Sequence, residues 1–316
     1  MINIILPIAK VGVSIPGVVG LGFVVGALSG LFGVGGGFLI TPMLNVLFGV
    51  PYNFAVGSGL LQMVGTSTAA FLSHKTHGNV DYRLALFLLA GSLIGAEIGA
   101  RILNELKGLG SINLFGHPID LINIYMNVIY IVFLGGVGIF MFKEARAALK
   151  KINQNPGNQK DKAIAITRVG QKVQAVNIPP LVSLPTSEIK SISLWIIVFF
   201  GFTIGVLSGL LGVGGGFILL PILIYLVGAP TNIAVGTSLF QMIFTSGYGS
   251  ITHLFKGNID FLLVGLILSG SLLGSKIGVM LNNRMKKVSL RYYFSYVVFT
   301  VILIIVIKFF WSLKIF

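Results

Sequence analysis

Two long stretches without any charged side chain constrain this chain more than any other feature. No Asp, Glu, Lys or Arg occurs at the 64 positions between Lys10 and Lys75, or at the 65 positions between Lys190 and Lys256. A transmembrane helix needs about 20 apolar residues, so each stretch is long enough for several crossings. Only 9% of the 316 residues are charged, against about 25% in soluble domains. The chain is therefore predicted to be a multi-pass membrane protein.

The composition also excludes several other classes of protein. A net charge of +14 would suit a nucleic-acid-binding protein, but the charges cannot cover a water-facing surface, so the predicted partner is the lipid bilayer and no nucleic acid. The chain has no cysteine, and its histidines lack the spacing of metal ligands. It also lacks an HExxH motif and paired intramembrane carboxylates. No metal, cofactor, catalytic residue or enzymatic activity is predicted.

The chain contains an internal duplication. Positions 26–99 align with positions 205–278 without a gap at a constant offset of 179, and about half of the aligned residues are identical. The first copy contains LSGLFGVGGGF at 28–38, and the second contains LSGLLGVGGGF at 207–217. A repeat of this length indicates two related structural units.

Each copy is predicted to contribute five membrane segments. The predicted segments are 11–32, 38–49, 53–74, 82–103 and 119–142 in the first copy, and 191–211, 217–227, 232–254, 261–281 and 292–311 in the second. The second segment of each copy follows a glycine run, contains a proline and is too short for a full crossing. It is either a broken helix or one arm of a re-entrant hairpin. The predicted fold class is all-α, with two homologous repeats.

The predicted division is a first transmembrane repeat at 1–142, a polar linker at 143–190 and a second repeat at 191–316. Five crossings per copy would invert one repeat relative to the other. The side that holds the linker would then carry 15 Lys and Arg, and the opposite side six. Because positive charge favours the cytoplasmic side, the linker is predicted to be cytoplasmic and both termini outside, with the protein in the cell (inner) membrane.

The repeated glycine block is the first candidate site. Consecutive glycines allow non-helical backbone, which is tolerated within a membrane where it is buried or lines a cavity. Free N–H groups at the start of the following half-helix would attract an anion. The alternative is a sharp turn or a close helix contact. The candidate residues are Gly33, Gly35, Gly36 and Gly37, with Gly212, Gly214, Gly215 and Gly216.

Polar residues on the third segment of each copy form the second candidate. Positions 58, 62 and 66 are four residues apart and therefore share one helical face. The side chains could bind an anionic substrate, or the hydroxyls could satisfy backbone carbonyls of their own helix. The binding candidates are Gln62, Thr66 and Ser67, with Gln241, Thr245 and Ser246.

Two ionisable residues occupy equivalent intramembrane positions with opposite charge. Glu97 is a candidate coupling group, and Lys276 is a candidate anion-binding residue, because charges inside membrane helices are costly and often functional. Glu97 could instead pair with Arg101 one turn later, and Lys276 could extend to the membrane interface. In the repeated HxxxGNxD motif, Asp81 and Asp260 are predicted to cap the helices that follow.

Together, the paired glycine motifs, the proline four residues after Phe38 or Phe217, and the HxxxGNxD element resemble the TauE/SafE family of sulfite exporters and TSUP permeases. The resemblance implies a permease for small sulfur-containing anions such as sulfite, sulfonates, sulfoacetate or thiosulfate. A passive anion channel, or a permease for other small organic anions, is the alternative. The oligomeric state is left open, with a dimer as one option.

Overall fold

A computed structural model describes residues 3–32, 35–75, 78–114, 117–154, 168–284 and 287–312. Helices dominate it. They are α1 (Ile15–Phe32), α2 (Gly37–Phe48), α3 (Tyr52–Lys75), α4 (Tyr82–Lys107), α5 (Leu121–Gln154), α6 (Arg168–Gln174), α7 (Leu194–Leu211), α8 (Gly216–Pro221), α9 (Thr231–Phe255), α10 (Phe261–Arg284) and α11 (Lys287–Ser312). A π-helical turn, Ile222–Val227, continues α8. Within the described ranges, six helices are long and apolar enough to cross a membrane: α1, α3, α4, α5, α7 and α10.

Three short antiparallel hairpins add strands that the all-α prediction did not contain. They pair β1 (Asn3–Ile5) with β2 (Gly12–Ser14), β3 (Ser111–Leu114) with β4 (His117–Asp120), and β5 (Leu181–Leu184) with β6 (Ile189–Ser193). The first hairpin directly precedes α1 and the third directly precedes α7. Helix α5 continues past position 142, so the chain leaves the first repeat as a helix.

Helices of the two copies pair with each other through glycine. Helix α1 lies along α10, and a Cβ atom at Gly22, Gly26 or Gly30 would collide with a backbone carbonyl oxygen of α10. The contact moves from Ile267 to Ser275 as α1 moves from Gly22 to Gly30, so the two helices run parallel. Because lipid supplies no hydrophobic force between helices, close backbone approach is what holds such a pair together.

The equivalent pair, α4 and α7, has the same construction. Carbonyl oxygens of α7 lie against three glycines of α4: Gly91, Gly95 and Gly99. The contact moves from Val198 to Val206 as α4 moves from Gly91 to Gly99, so these two helices also run parallel. Between these outer pairs, α3 lies antiparallel to α9: Gly57 is opposite His253, and Phe71 is opposite Phe240. The molecule is thus organised as inter-copy helix pairs around an α3–α9 centre.

The two repeated aspartates tie the hairpins to this frame, and their predicted capping role is confirmed. Asp81 accepts a hydrogen bond from Leu84 N at 3.0 Å, and Asp260 accepts one from Leu263 N at 3.2 Å. Asp260 Oδ2 also accepts from Ile8 N at 2.9 Å, next to the first hairpin. In the same way, Ser187 Oγ donates to Asp81 Oδ2 at 2.7 Å. Each cap therefore holds the hairpin that opens the other copy.

The second segments are short helices that start deep inside the bundle. Helix α2 has 12 residues, and the continuous stretch Gly216–Val227 also has 12, which corresponds to roughly 18 Å at 1.5 Å per residue. A Cβ at Gly36 would contact Val25 of α1, whereas Phe48, at the other end of α2, lies against Gly17. Helix α2 therefore returns along α1 and covers about half of the 30 Å hydrocarbon core.

The glycine pairing predicts a sharp contrast between two positions on α10. Gly274→Ala should destabilise the protein by about 1–3 kcal/mol because its Cβ would force the α1 backbone away. Gly265→Ala is the matched control, since nothing lies within 4 Å of its Cβ position. Thermal unfolding of the purified protein in detergent measures both. An equal melting temperature for the two variants would contradict close packing at this pair.

Candidate functional site

The two glycine blocks meet at the centre of the molecule. The rings of Phe38 and Phe217, which follow the blocks, stack with centroids 4.2 Å apart. A Cβ at Gly37 would lie 2.9 Å from the carbonyl oxygen of Gly212. Every described glycine of both blocks is buried. Both short helices therefore begin close to one point, where their free N–H groups and positive dipole ends converge.

Positive φ angles explain why these turns require glycine. Gly35 and Gly36 have φ of 73° and 74°, and Gly214 and Gly215 have φ of 64° and 82°. These values lie in the left-handed region, where a side chain costs roughly 1–2 kcal/mol. A Cβ at Gly215 would also strike Ile204, and one at Gly36 would crowd Val25. The predicted residue Gly33 lies outside the described residues.

The polar faces of α3 and α9 point into the same region. The predicted binding side chains on these helices are at most 2% exposed: Gln62, Thr66, Ser67, Gln241, Thr245 and Ser246. Ser246 Oγ lies 2.8 Å from the Cβ position of Gly214, and Gln241 Oε1 lies 3.9 Å from that of Gly215. The structure thus brings the predicted glycines, where described, together with the predicted polar faces.

Each glutamine amide is anchored at its nitrogen. Gln62 Nε2 donates to Ser271 Oγ at 2.9 Å, and Gln241 Nε2 donates to Thr245 Oγ1 at 2.6 Å. Thr245 in turn shares a hydrogen bond of 2.9 Å with Ser92. Among the described residues, neither Gln62 Oε1 nor Gln241 Oε1 has a hydrogen-bond partner, nor does Ser246 Oγ, although all three are buried. Unpaired buried polar atoms are costly, and two of these three, Gln241 Oε1 and Ser246 Oγ, lie at the second glycine block, which marks this centre as a candidate binding site.

The two predicted charged residues lie away from this centre. Lys276 is exposed on the outer face of α10, beside the exposed side chains Leu273 and Ile277. Glu97 accepts a hydrogen bond from Arg101 Nε at 2.7 Å and another from Thr252 Oγ1 at 3.2 Å. The local Glu97–Arg101 pair is therefore present. Lys256, just after α9, has a buried Nζ, and burial lowers the pKa of this ammonium group.

Several central residues were not predicted as site residues. Met63 and Met242 are fully buried beside the glycine blocks, and Ser92 and Ser271 bond the polar faces. All four occupy positions that are identical between the two copies, which is the signal that could have identified them. Thr41 is also buried, and its Oγ1 lies next to Gly212. It has no such signal, because its equivalent is Leu220.

Comparison with known proteins indicates the class first, because the similar proteins are named as probable membrane transporters. The chain is 28% identical over 273 residues to the "Probable membrane transporter protein YunE" of Bacillus subtilis, covering 84% of this chain and 88% of the relative. It is 27% identical to a "Probable membrane transporter protein" of Xylella fastidiosa, covering 84% of each chain. MJ0441 of Methanocaldococcus jannaschii, also named a probable membrane transporter protein, is 26% identical over 286 residues, with 86% and 87% covered.

The family itself follows from a broader match. The family profile described as "Sulfite exporter TauE/SafE" matches residues 18–305, so the chain belongs to this family. The predicted family, and the prediction of a transporter rather than an enzyme, are confirmed. No solved structure matches the chain.

The glycine turns predict separate effects on folding and transport. Gly215→Ala and Gly49→Ala both place a side chain at positive φ, but nothing lies within 4 Å of the Cβ position of Gly49. Each variant should lose about 1–2 kcal/mol of stability from the positive φ, and Gly215→Ala should lose about 1–3 kcal/mol more because its Cβ strikes Ile204. Only Gly215→Ala should lose transport, because its Cβ displaces the start of α8. Anion uptake by proteoliposomes that contain equal amounts of each variant measures the difference in transport. Comparable uptake by both variants would show that the turn at Gly215 is not needed for transport.

Proposed function

We propose that this protein is a secondary transporter of small sulfur-containing anions, such as sulfite, sulfonates, sulfoacetate or thiosulfate. The anion is held where α2 and α8 begin, between the polar faces of α3 and α9. The name of the family supports the sulfur-containing substrate, whereas the names of the similar proteins go no further than membrane transport. The fold supports a transporter because short helices that start within the bundle are typical of transporter binding sites.

The observation that carries this proposal is the convergence of two half-helix starts on buried, unpaired polar atoms. Each start supplies about half a positive charge, so two starts compensate roughly one negative charge without a lysine. The blocks are in contact at Gly37 and Gly212, which lets one small anion approach both. The proposed site comprises the described glycines of both blocks and the six polar side chains on α3 and α9, and it includes Gly33 on the basis of the sequence repeat alone.

The glutamines can present either amide group to the centre. Their nitrogens bond to Ser271 and Thr245, and their oxygens are buried without a partner among the described residues, with Gln241 Oε1 near Gly215. A hydroxyl group can donate as well as accept, so after rotation of the Gln62 amide by 180° Ser271 Oγ can donate to Oε1 in exchange for its hydrogen bond to the Leu268 carbonyl. The rotated amide offers an N–H donor to the anion. Without the anion the same side chain returns its nitrogen to the hydroxyl.

The two charged candidates have different proposed roles. Lys276 faces outward among exposed apolar side chains, which favours extension of its ammonium to the membrane interface over contact with substrate. Glu97 stays a candidate coupling group. One of its carboxylate oxygens accepts a hydrogen bond from Arg101 and the other accepts one from Thr252 of α9. Protonation of Glu97 would weaken these bonds and loosen the contact between α4 and α9.

We further propose that the repeats at 1–142 and 191–316 lie inverted in the membrane, joined by the linker at 143–190. Helix direction supports the inversion. The equivalent helices α3 and α9 run in opposite directions, as two inverted repeats require. The excess of Lys and Arg on the linker side supports a cytoplasmic linker and outside termini in the cell (inner) membrane.

A passive anion channel is the second candidate, since glycine backbone and hydroxyl groups also suit a pore. Flux against a concentration gradient separates the two. The purified protein in proteoliposomes should accumulate sulfite, or another member of a panel of sulfur oxyanions, when a proton or sodium gradient is imposed. Flux that only dissipates the anion gradient would indicate a channel. Absence of flux for every sulfur oxyanion would overturn the proposed substrate class.

Gln241→Leu should raise the apparent Michaelis constant for the transported anion roughly 10–100-fold. The physical reason is the loss of a hydrogen bond to a charged group, worth about 1.5–3 kcal/mol. Lys276→Met is the matched control within the membrane. Its apparent Michaelis constant should equal that of the natural protein, because Lys276 lies on the outer face of α10. A loss of affinity confined to Lys276→Met would place the anion on α10 instead.

Single cysteines test the orientation directly, because the natural chain has none. Cysteines introduced at Asn158 and Ser312 should react with membrane-impermeant thiol reagents from opposite faces of the membrane. The Asn158 variant should react only from the cytoplasmic side. Labelling of both variants from the same face would exclude inverted repeats with five crossings each.

A further inference from the structure

Two methionines fill the space between the glycine blocks in a twofold arrangement. The side chain of Met242 lies against Gly35, and that of Met63 lies against Gly214 and Gly37. Both methionines come within 4 Å of the Cβ position of Gly35, so they meet at the centre. They occupy equivalent positions on α9 and α3, and neither has any exposed surface.

The thioethers are apolar groups inside a polar cluster. Ser67 Oγ donates to Met242 Sδ at 3.0 Å, and a thioether sulfur is only a weak acceptor. In the equivalent position beside Met63, Ser246 Oγ has no partner among the described residues. An anion is a much stronger acceptor for both hydroxyl groups. The hydroxyls and the glycine backbone would therefore gain if an anion replaced the sulfur atoms.

Methionine is suited to such an exchange. Its side chain is unbranched with three rotatable bonds, so it can leave one position and fill another at low cost. Leucine has a similar volume but branches at Cγ and rotates about fewer bonds. A static core position accepts leucine in place of methionine with little loss, whereas a side chain that must move in each cycle does not.

We propose that Met63 and Met242 form the gate of the central site: they close it when it is empty, swing aside when the anion enters, and limit the size of the anion. The inference rests on the proposed anion site and assigns to it residues that directly compete with the substrate. It also explains why every polar side chain of the site is buried here, since the methionines occupy the position that the anion would take.

Conservative substitutions distinguish a gate from ordinary packing. Met63→Leu and Met242→Leu should each lower the turnover of sulfite about tenfold, equivalent to about 1.4 kcal/mol in the barrier, with unfolding temperatures close to that of the natural protein. Met126→Leu, at a buried position on α5, should transport normally. Met63→Ala and Met242→Ala should shift the preference from sulfite towards the larger ethanesulfonate. Normal turnover in both Leu variants, with an unchanged size preference in both Ala variants, would show that the two methionines only pack the core and do not form a gate.

A labelling experiment tests the gate without knowledge of the substrate. In Met63→Cys or Met242→Cys, a small methanethiosulfonate reagent should modify the thiol from water each time the gate opens. Met126→Cys should stay unmodified under the same conditions. Labelling of the central thiols without sulfur-anion transport would overturn the proposed substrate and leave the gate intact. Equal absence of labelling at all three positions would overturn the gate, even for a protein that transports sulfite.

Discussion

Contact between bare backbones is the interaction on which the rest of this structure depends. Twelve glycines, three on each of α1, α4, α7 and α10, face carbonyl oxygens of a partner helix. Any side chain larger than hydrogen would separate these helices, and in lipid there is no hydrophobic force to recover the lost packing. Because each pair joins one helix from each copy, the same contacts that fix local packing also fuse the two copies.

This arrangement separates a rigid frame from an adaptable centre. In the outer pairs, glycines of one helix lie directly against the backbone of the other, and such close contacts leave little room for either helix to shift alone. The centre instead holds amides that can rotate, hydroxyl groups that donate or accept, and flexible thioethers. The short helices begin between these regions, so their free N–H groups are held by the frame and exposed to the centre. Such a division allows side chains to respond to a ligand while the helices keep their places.

The sequence predicts the parts of the fold that depend on composition and on the repeat. The charge-free stretches indicate membrane helices, and the glycine run with its proline predicts the short second segments, because each is a local consequence of residue type. The aspartate caps are predictable for the same reason. The spacing of Gln62 and Thr66 predicts a shared face, and identity between the copies suggests that this face is central.

Features that depend on helix rotation could not be predicted in this way. Glu97 and Lys276 are charged residues within membrane helices, which predicts a functional role. The direction of each side chain, however, depends on which face of α4 or α10 carries the glycines. Once Gly274 and Gly278 face α1, Lys276 must point outward. Met63 is identical in the two copies, but for an apolar residue on a membrane helix this identity does not distinguish a site residue from ordinary packing. The hairpins cannot be predicted in this way, because strands of three to five residues leave no detectable periodicity.

The pairing of α1 with α10 has a consequence for biosynthesis. Gly26 and its contact Ser271 are 245 positions apart, so at 5–20 residues per second the ribosome needs roughly 10–50 s to make the second after the first. During this interval α1 is already in the lipid with an uncovered groove along one side. Helix α4 lacks its partner for a shorter time, because α7 is synthesised sooner after it. Helix α1 is therefore made long before its partner, and its insertion must remain stable without that partner until α10 has been translated.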